Sequence, residues 1–241
     1  MKTHLPVIAL LFVSNSCQAQ SQPPAPPPTS ANAVQNALSD AEKAAGWRLL
    51  FDGTTTAGWR NYGKPAISDG WKVQDGALTR VGAGGDIITN DQFKNFELSI
   101  DWKIEVGGNS GIFYRASEDT DAIYWNAVEM QVLDDAKHRD GKNPKTSAGA
   151  LYALIAPVNK VLQPVGKWNR ARVIVQNGHV EHWLNGRKVL DYELGSDQLK
   201  HLIAETKFKD FPRFAENREG HVALQYHGDE VWYRKIKIRS L

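Results

Sequence analysis

The chain has 241 residues, of which 41% are hydrophobic and 23% charged, and this length and composition suffice to bury one large core. The 29 Lys and Arg residues nearly balance the 27 Asp and Glu residues, which gives a formal charge of +2. This balance excludes the broad basic surface that binds phosphate backbones, so we expect no nucleic-acid partner.

The first residues have the pattern of a signal peptide. Lys2 precedes an apolar run from Leu5 to Val13, which is too short to span a bilayer. Small residues follow, and we expect cleavage after Ala19, so that the mature protein is periplasmic or otherwise exported. Lipid anchoring at Cys17 is the alternative processing. Because Cys17 is the only cysteine, the fold has no intramolecular disulfide.

A Pro-rich segment separates this signal from the predicted domain. Residues 20–37 include SQPPAPPPTS, which favours extended polyproline II and is typical of a spacer. The domain is expected to cover residues 38–241. At its start, Ser39 and Glu42 have the spacing of a capping box, which predicts one short N-terminal helix ending near Gly46.

Beyond this helix the dominant period is two, which is typical of strands. In residues 96–104, FELSIDWKI, apolar and polar residues alternate strictly, so one face is expected to be buried and the other wet. A connection at 196–219 interrupts the pattern and is expected to hold a second short helix. The fold class is therefore all-β, a two-sheet antiparallel jelly-roll sandwich. The predicted strands are 47–52, 71–81, 96–104, 110–116, 126–134, 149–154, 170–176, 179–184, 188–193, 221–227 and 231–239.

Two strands carry polar rows that point away from the expected core. Glu129 and Gln131 alternate with apolar residues in one strand, and Gln225 and His227 do so in another, which places Tyr226 on the core side. Carboxyl, amide and imidazole groups together suit hydrogen bonding to a polyol, so a binding groove on an open sheet face is one interpretation. A plain solvated sheet face is the other.

Several catalytic motifs are absent from the sequence. There is no G-x-S-x-G, H-E-x-x-H, P-loop or G-x-G-x-x-G pattern, which removes support for serine esterases, zinc proteases and nucleotide-dependent enzymes. The residues after Glu129 also lack the E-x-D-x-E pattern of laminarinase-type glycanases. We therefore expect neither a nucleotide partner nor a standard two-carboxylate glycosidase.

One loop gathers groups that could bind a divalent metal. Residues 133–143 contain the oxygen and imidazole donors of Asp134, Asp135, His138 and Asp140. A solvated acidic loop is the simpler interpretation. A divalent metal cofactor is left open on this basis.

The motifs in chain order resemble the 3-keto-disaccharide hydrolase family, also described as 3-keto-glucoside 1,2-lyase and 3-keto-2-hydroxyglucal hydratase. The resemblance spans about residues 38–241 and implies a concanavalin-like jelly roll. Where the family pattern has Gln-Asp-His-Gly, this chain has Tyr226 after Gln225. The motifs that carry it are LSDAEKAAGWRLLFDGTTTAGWR, NSGIFYRA, VEMQVLDDAKHRDGKNPKTSAGALYALIAP, GKWNRARVIVQNGHVEHWLNG, ETKFKDFPRFA and GHVALQYHGDEVWYRKIKIRSL.

The resemblance implies cleavage of oxidised, 3-keto glycosides or disaccharides. A base removes the C2 proton, the C1 substituent leaves, and water then adds to the enone-like product. From resemblance and face assignment, we expect Glu129 and His227 to transfer protons, and Lys207 or Arg115 to stabilise the enolate. Arg115 also belongs to the expected substrate-binding residues, which are completed by Gln131, Gln225 and Trp125.

The alternative function is a non-catalytic, lectin-like carbohydrate-binding module of the cell envelope, since one fold serves both purposes. Such a module needs no proton-transfer pair. A structural or partner-binding envelope domain is a further alternative, and it would expose an apolar patch in place of a polar groove.

Overall fold

The computed structural model describes Met1 and residues 35–241. The predicted signal peptide at 1–19, with Cys17, lies outside the described residues apart from Met1, as does most of the spacer at 20–37. Export, processing and these boundaries stay predictions. No helix in the described part of the chain is long and apolar enough to cross a membrane.

The domain is built from two antiparallel sheets, which confirms the predicted all-β sandwich. The eight-stranded sheet has the order β11-β10-β9-β6-β13-β4-β3, with β1 pairing to β13, and the five-stranded sheet has the order β2-β5-β12-β7-β8. The strands are β1 Arg48–Leu49, β2 Trp59–Asn61, β3 Trp71–Gln74, β4 Ala77–Arg80, β5 Ile87–Thr89, β6 Phe96–Ile104, β7 Asn109–Ala116, β8 Val128–Leu133, β9 Asn169–Gln176, β10 His179–Leu184, β11 Arg187–Glu193, β12 His221–Leu224 and β13 Val231–Ser240.

The helices are short, and one of them precedes the first strand. Helix α1, Asp40–Ala44, begins with the predicted capping box, in which Ser39 and Glu42 bond each other's backbone amides. Helix α2, Asp197–Ala204, lies in the long connection before β12, as predicted. The 3₁₀ helices are Ile123–Trp125, Arg139–Lys142, Pro144–Thr146 and Lys207–Asp210.

Four predicted strands differ clearly from the structure. The strand predicted at 71–81 is a hairpin of β3 and β4, and only Arg48–Leu49 of the strand predicted at 47–52 pairs. Residues 149–154 form turns, and only Leu151 makes isolated bridges. The strand predicted at 221–227 ends at Leu224, because the Tyr226 amide donates to the Asp86 carboxylate instead of a neighbouring strand. Strands β2 and β5 have only three residues each, which is too short to show a period in sequence.

The outer face of β6 is not wet, contrary to the prediction. Glu97 and Asp101 are only 5% exposed, because arginines from the neighbouring strands lie over them. Arg239 is 2.6 Å from Glu97, and Arg170 is 2.7 Å from Asp101. Each buried carboxylate on this face thus has a guanidinium partner, the arrangement that burial of a charge requires.

A chain of buried polar groups connects the two sheets. His182 Nδ1 donates to the Gly149 carbonyl at 3.1 Å, so its Nε2 is the acceptor for the Tyr114 hydroxyl at 2.7 Å. The Tyr192 hydroxyl lies 2.6 Å from that of Tyr114. Tyr114 belongs to the five-stranded sheet, whereas His182 and Tyr192 belong to the other. Complete burial lowers the pKa of His182 to about 4, which keeps the ring neutral.

Replacing His182 with Leu should lower the free energy of unfolding by about 2–3 kcal/mol at pH 7, because the Gly149 carbonyl and Tyr114 hydroxyl lose their partner. The folded pKa of His182 lies below its ordinary 6.5, so the wild-type protein loses this part of its stability as pH falls from 6.5 through 4. Urea unfolding should therefore show a smaller difference at pH 4.5 than at pH 7. His201→Leu on exposed α2 is the control, and an equal difference at both pH values would contradict this account.

Candidate active site

The site lies on the face of the five-stranded sheet that points away from the core. In β8, Val128, Met130 and Val132 pack in the core, so Glu129 and Gln131 point to the other face, as predicted. The register places a polar row across the sheet at the level of Gln131. Gln131 is paired with Gly111 of β7, and the Gly111 carbonyl accepts from the backbone amide of Gln225 at 2.9 Å.

A cavity of about 170 Å³ opens on this face. It brings together five of the seven residues that the sequence predicts for the site, whereas Arg115 and Trp125 do not line it. Four more of its residues were not anticipated from the sequence: Asn109, Tyr124, Tyr152 and Phe208. The predicted residues that line it are Glu129, Gln131, Lys207, Gln225 and His227.

Glu129 occupies space that exists because residue 111 is glycine. A Cβ atom on Gly111 would overlap Oε1 of Glu129 and would lie 2.6 Å from its Cδ. The carboxyl group therefore lies over the backbone of β7 in the middle of the polar face. No larger residue fits at position 111 unless this carboxyl group moves.

The Glu129 carboxyl group is buried without a compensating partner. The residue is 6% exposed, and its Oε1 has no hydrogen-bond partner among the described residues. Burial, with a smaller contribution from the charge of Asp86, raises the pKa of Glu129 to about 8. Lys207 opposes this shift, and Asp140 adds to it. The group is thus protonated at neutral pH and can donate a proton.

Amide side chains beside Glu129 leave acceptors free. Gln131 Nε2 donates to Asn109 Oδ1 at 3.2 Å. The Oε1 atoms of Gln131 and Gln225 have no partner among the described residues. Buried acceptors in this state are costly unless a ligand or water supplies donors. The hydroxyl groups of a sugar have the required chemistry.

His227 stands at the mouth of the cavity. Its side chain is 44% exposed, and Nδ1 lies 3.6 Å from Asp229 Oδ2. Asp229 also accepts from the backbone amide of Asn109 at 2.9 Å, and the side-chain Nδ2 of Asn109 lies 3.5 Å from His227 Nε2. The imidazole is thus held between a carboxylate and an amide while it remains open to solvent and ligand.

Lys207 and two tyrosines form the wall opposite the sheet. Thr206 caps the 3₁₀ helix Lys207–Asp210, which follows α2 and holds Lys207 over the cavity. Its Nζ lies 5.1 Å from the ring centroid of Tyr152 and 5.6 Å from that of Tyr124. Lys207 has no ion pair among residues 35–241. Its charge is therefore stabilised by ring faces and remains available to an anion in the cavity.

Tyr152 reaches the cavity from the segment that was predicted as a strand. Its backbone amide donates to the Glu129 carbonyl at 3.1 Å, which fixes the phenol beside the acid. Burial raises the pKa of Tyr152, so the hydroxyl group remains a neutral donor.

The structure places Arg115 elsewhere, which contradicts its expected contact with substrate. Its backbone has φ of 53°, in the left-handed region, next to the register shift between His221 and Ala223. The side chain donates to the Lys94 carbonyl at 2.9 Å in a separate cleft. Arg115 lies at the end of β7 remote from Asn109, so it braces a loop and does not face the cavity.

Tyr226 also differs from expectation, because it is half-buried at the surface and not in the core. The Arg80 guanidinium lies 4.8 Å from its ring centroid. Its amide donates to Asp86 Oδ1 at 2.7 Å, and burial raises the pKa of Asp86 to about 6. Although residue 226 is not acidic, the carboxylate of Asp86, the residue immediately before β5, lies beside it.

The acidic loop at 133–143 is occupied by internal contacts. Asp134 accepts from the Gly107 and Ala136 amides, and Asp135 lies 2.6 Å from Lys160. No group of three His, Cys, Asp or Glu residues in the described part of the chain is arranged to hold a metal ion. A metal requirement stays untested, and the loop's carboxylates serve to fix its shape.

The fold and cavity define a jelly-roll protein with a polar, proton-donating site suited to carbohydrate. A family model described as a 3-keto-alpha-glucoside-1,2-lyase-like domain matches residues 46–239, and the chain belongs to this family. A 3-keto-disaccharide hydrolase of Bacteroides thetaiotaomicron is 36% identical to it, over 88% of each chain. These findings confirm the resemblance and support a glycoside-cleaving enzyme with a carbohydrate substrate.

Solved structures agree with this assignment. A candidate glycosyl hydrolase from Parabacteroides distasonis matches with a TM-score of 0.81 and 34% identity, over 86% of this chain and 99% of that chain. A Bacillus subtilis protein with a galectin-like fold matches with a TM-score of 0.50 and 14% identity, over 87% and 94% of the two chains. The second likeness concerns the fold alone.

Replacing Gly111 with Ala should lower the free energy of unfolding by about 1–3 kcal/mol, because the new methyl group overlaps the Glu129 carboxyl group. Shortening that neighbour in the double variant Gly111→Ala/Glu129→Ala should recover most of the loss. Denaturant unfolding of the two single variants and the double variant measures the coupling. Gly82→Ala is the control, since its nearest contact is an ordinary 3.9 Å. Additive effects would show that the two residues do not compete for space.

Replacing Glu129 with Gln should stabilise the protein increasingly as pH rises from 4.5 to about 8. Because the pKa of Glu129 in the folded protein exceeds its ordinary 4.5, ionisation of this group lowers the free energy of unfolding of the wild type increasingly across this pH range. Above pH 8 the loss reaches about 5 kcal/mol. Thermal melting of both proteins at pH 5 and pH 9 measures the change. Glu219→Gln, at an exposed site, should show no such trend. A constant difference between wild type and Glu129→Gln would contradict the raised pKa.

Proposed function

We propose that this protein cleaves 3-keto-glycosides by removing the C2 proton and expelling the C1 substituent, with hydration of the product in the same cavity. The observation that carries the proposal is the buried carboxyl group of Glu129, which has no hydrogen-bond partner for Oε1 among the described residues and shares a cavity with the exposed imidazole of His227. An acid and a base with different environments are what such an elimination requires.

The first step needs a base at C2 and charge stabilisation at the C3 oxygen. The imidazole of His227 takes the C2 proton, and the electron pair of the C–H bond moves into an enolate. Lys207, whose ammonium group has no carboxylate partner among the described residues, stabilises the enolate oxygen. Tyr152 is a further neutral donor on the same wall.

The second step breaks the bond between C1 and the glycosidic oxygen. The enolate electrons form the C1–C2 double bond as the oxygen departs, and Glu129 supplies the proton that this oxygen acquires. Glu129 is then a carboxylate and His227 an imidazolium. The free oxygens of Gln131 and Gln225 hold sugar hydroxyl groups through both steps.

Hydration returns both groups to their starting states. The Glu129 carboxylate removes a proton from water, which adds to C1, and the His227 imidazolium returns a proton to C2. The sum of the steps is hydrolysis of the glycosidic bond, and no redox partner is consumed. Release of the unsaturated sugar before hydration would make the same site a lyase.

Purified protein should release sugar from a 3-keto-disaccharide and not from the unoxidised parent, whose C2 proton is not acidic. Glu129→Gln and His227→Ala should each lower kcat/KM by at least about 100-fold. In the wild type, kcat/KM should fall as pH rises past about 8, since Glu129 loses its proton there. Product release followed by chromatography is the measurement.

Matched controls separate the chemistry from a general loss of structure. Glu219→Gln and His201→Ala change the same residue types at exposed positions away from the cavity and should retain wild-type rates. If the wild type binds sugar yet releases nothing from the 3-keto substrate, with or without added divalent metal, the protein is a carbohydrate-binding module instead.

A further inference from the structure

A second cleft adjoins the cavity and has a different chemistry. It encloses about 420 Å³ and is called here the acidic aromatic cleft. Trp125 lies stacked on Phe211, with ring centroids 5.5 Å apart and planes at 19°. The other lining residues used below are Asp119, Asp121, Asp210 and Arg213.

The cavity and the cleft are lined by neighbouring residues of the same two segments. Tyr124 lines the cavity and its neighbour Trp125 lines the cleft, while Phe208 and Phe211 are divided in the same way. The Tyr124 ring lies edge-on to both cleft aromatics, 6.2 Å from Trp125 and 5.7 Å from Phe211. One aromatic side chain therefore forms the partition between the two spaces.

The sizes of the two spaces decide how a disaccharide can be placed. Sites for drug-sized ligands enclose roughly 300–1,000 Å³. The cavity, at about 170 Å³, is below this range and suits one sugar ring. A second ring joined through C1 must leave the cavity, and the cleft beyond Tyr124 is large enough to receive it.

The chemistry of the cleft suits a neutral sugar. Aromatic faces bind the C–H faces of sugar rings, and the half-buried Trp125 lines the cleft. Asp121 and Asp210 are exposed and make no ion pair in the described part of the chain, so they can accept from hydroxyl groups. Among the described residues, Arg213 is the one cation that lines the cleft, and it lies 2.9 Å from Asp119. The excess of carboxylates disfavours an anionic sugar.

We propose that the acidic aromatic cleft is a second saccharide subsite, which holds the uncharged leaving-group sugar while the 3-keto ring occupies the cavity. The assignment of that sugar as the leaving group rests on the proposed function. Binding of a neutral disaccharide at the cleft does not, because the stacking surface and the carboxylates act on unoxidised sugar equally.

Calorimetric titration with an unoxidised glucose disaccharide and with glucose tests the subsite independently of catalysis. Trp125→Ala should weaken disaccharide binding about tenfold and leave glucose binding unchanged. Trp168→Ala is the control, since this half-buried ring lies against Arg234 on the other sheet. Unchanged disaccharide binding in Trp125→Ala, or equal losses for both sugars, would overturn the subsite.

Asp121→Lys provides a second variant at an exposed position where folding is not at risk. The wild type should bind a disaccharide ending in a uronate about tenfold more weakly than its neutral counterpart, and this variant should remove most of the difference. An unaltered preference would show that the cleft does not contact the second ring.

Turnover distinguishes this proposal from the function on which it rests. Trp125→Ala should lower kcat/KM for a 3-keto-disaccharide about tenfold and leave it unchanged for methyl 3-keto-glucoside, whose leaving group is too small to reach the cleft. No turnover of either compound by the wild type would overturn the proposed function, while the titrations would still decide on the subsite.

Discussion

The alternation of side chains along the five-stranded sheet is the constraint on which the site depends. Every second residue of β7, β8 and β12 packs against the eight-stranded sheet, and the residues between them must face the other way. A one-residue slip would move Glu129 into the apolar core and Met130 into the cavity. Packing of the core therefore fixes which groups meet on the open face, although none of them contributes to that packing.

Buried carboxylates have ion-pair partners on one sheet and lack them on the other. On the outer face of the eight-stranded sheet, Glu97 and Asp101 each lie beneath arginine side chains, so their burial is compensated. Glu129, equally buried on the other sheet, has no ion pair among the described residues, and Lys207 acts on it only at longer range. The fold pairs Glu97 and Asp101 with arginines but leaves Glu129 unpaired, which costs stability. Groups at functional sites are often retained at such a cost.

Much of the fold and part of the site follow from local sequence pattern. The period of two places Glu129 and Gln131 opposite the core, and Asn-Gly pairs mark the turns after β9 and β10, with φ of 53° and 50° at Asn177 and Asn185. Such signals concern neighbours in sequence. Tyr152 could not be found in this way, because it enters the cavity through a turn that bonds to β8, and no period reports that contact.

The misplaced residues show where alternation fails as a guide. Arg115 follows six residues of regular strand, but a register shift and a left-handed backbone redirect it to the loop at Lys94. Tyr226 lies just past the end of β12, where the Asp86 carboxylate takes the hydrogen bond that a neighbouring strand would otherwise accept. Both departures occur at strand ends. Because Gln225 still bonds to Gly111 there, the polar row remains in register up to the point where His227 turns toward solvent, which gives one histidine both a fixed position and access to substrate.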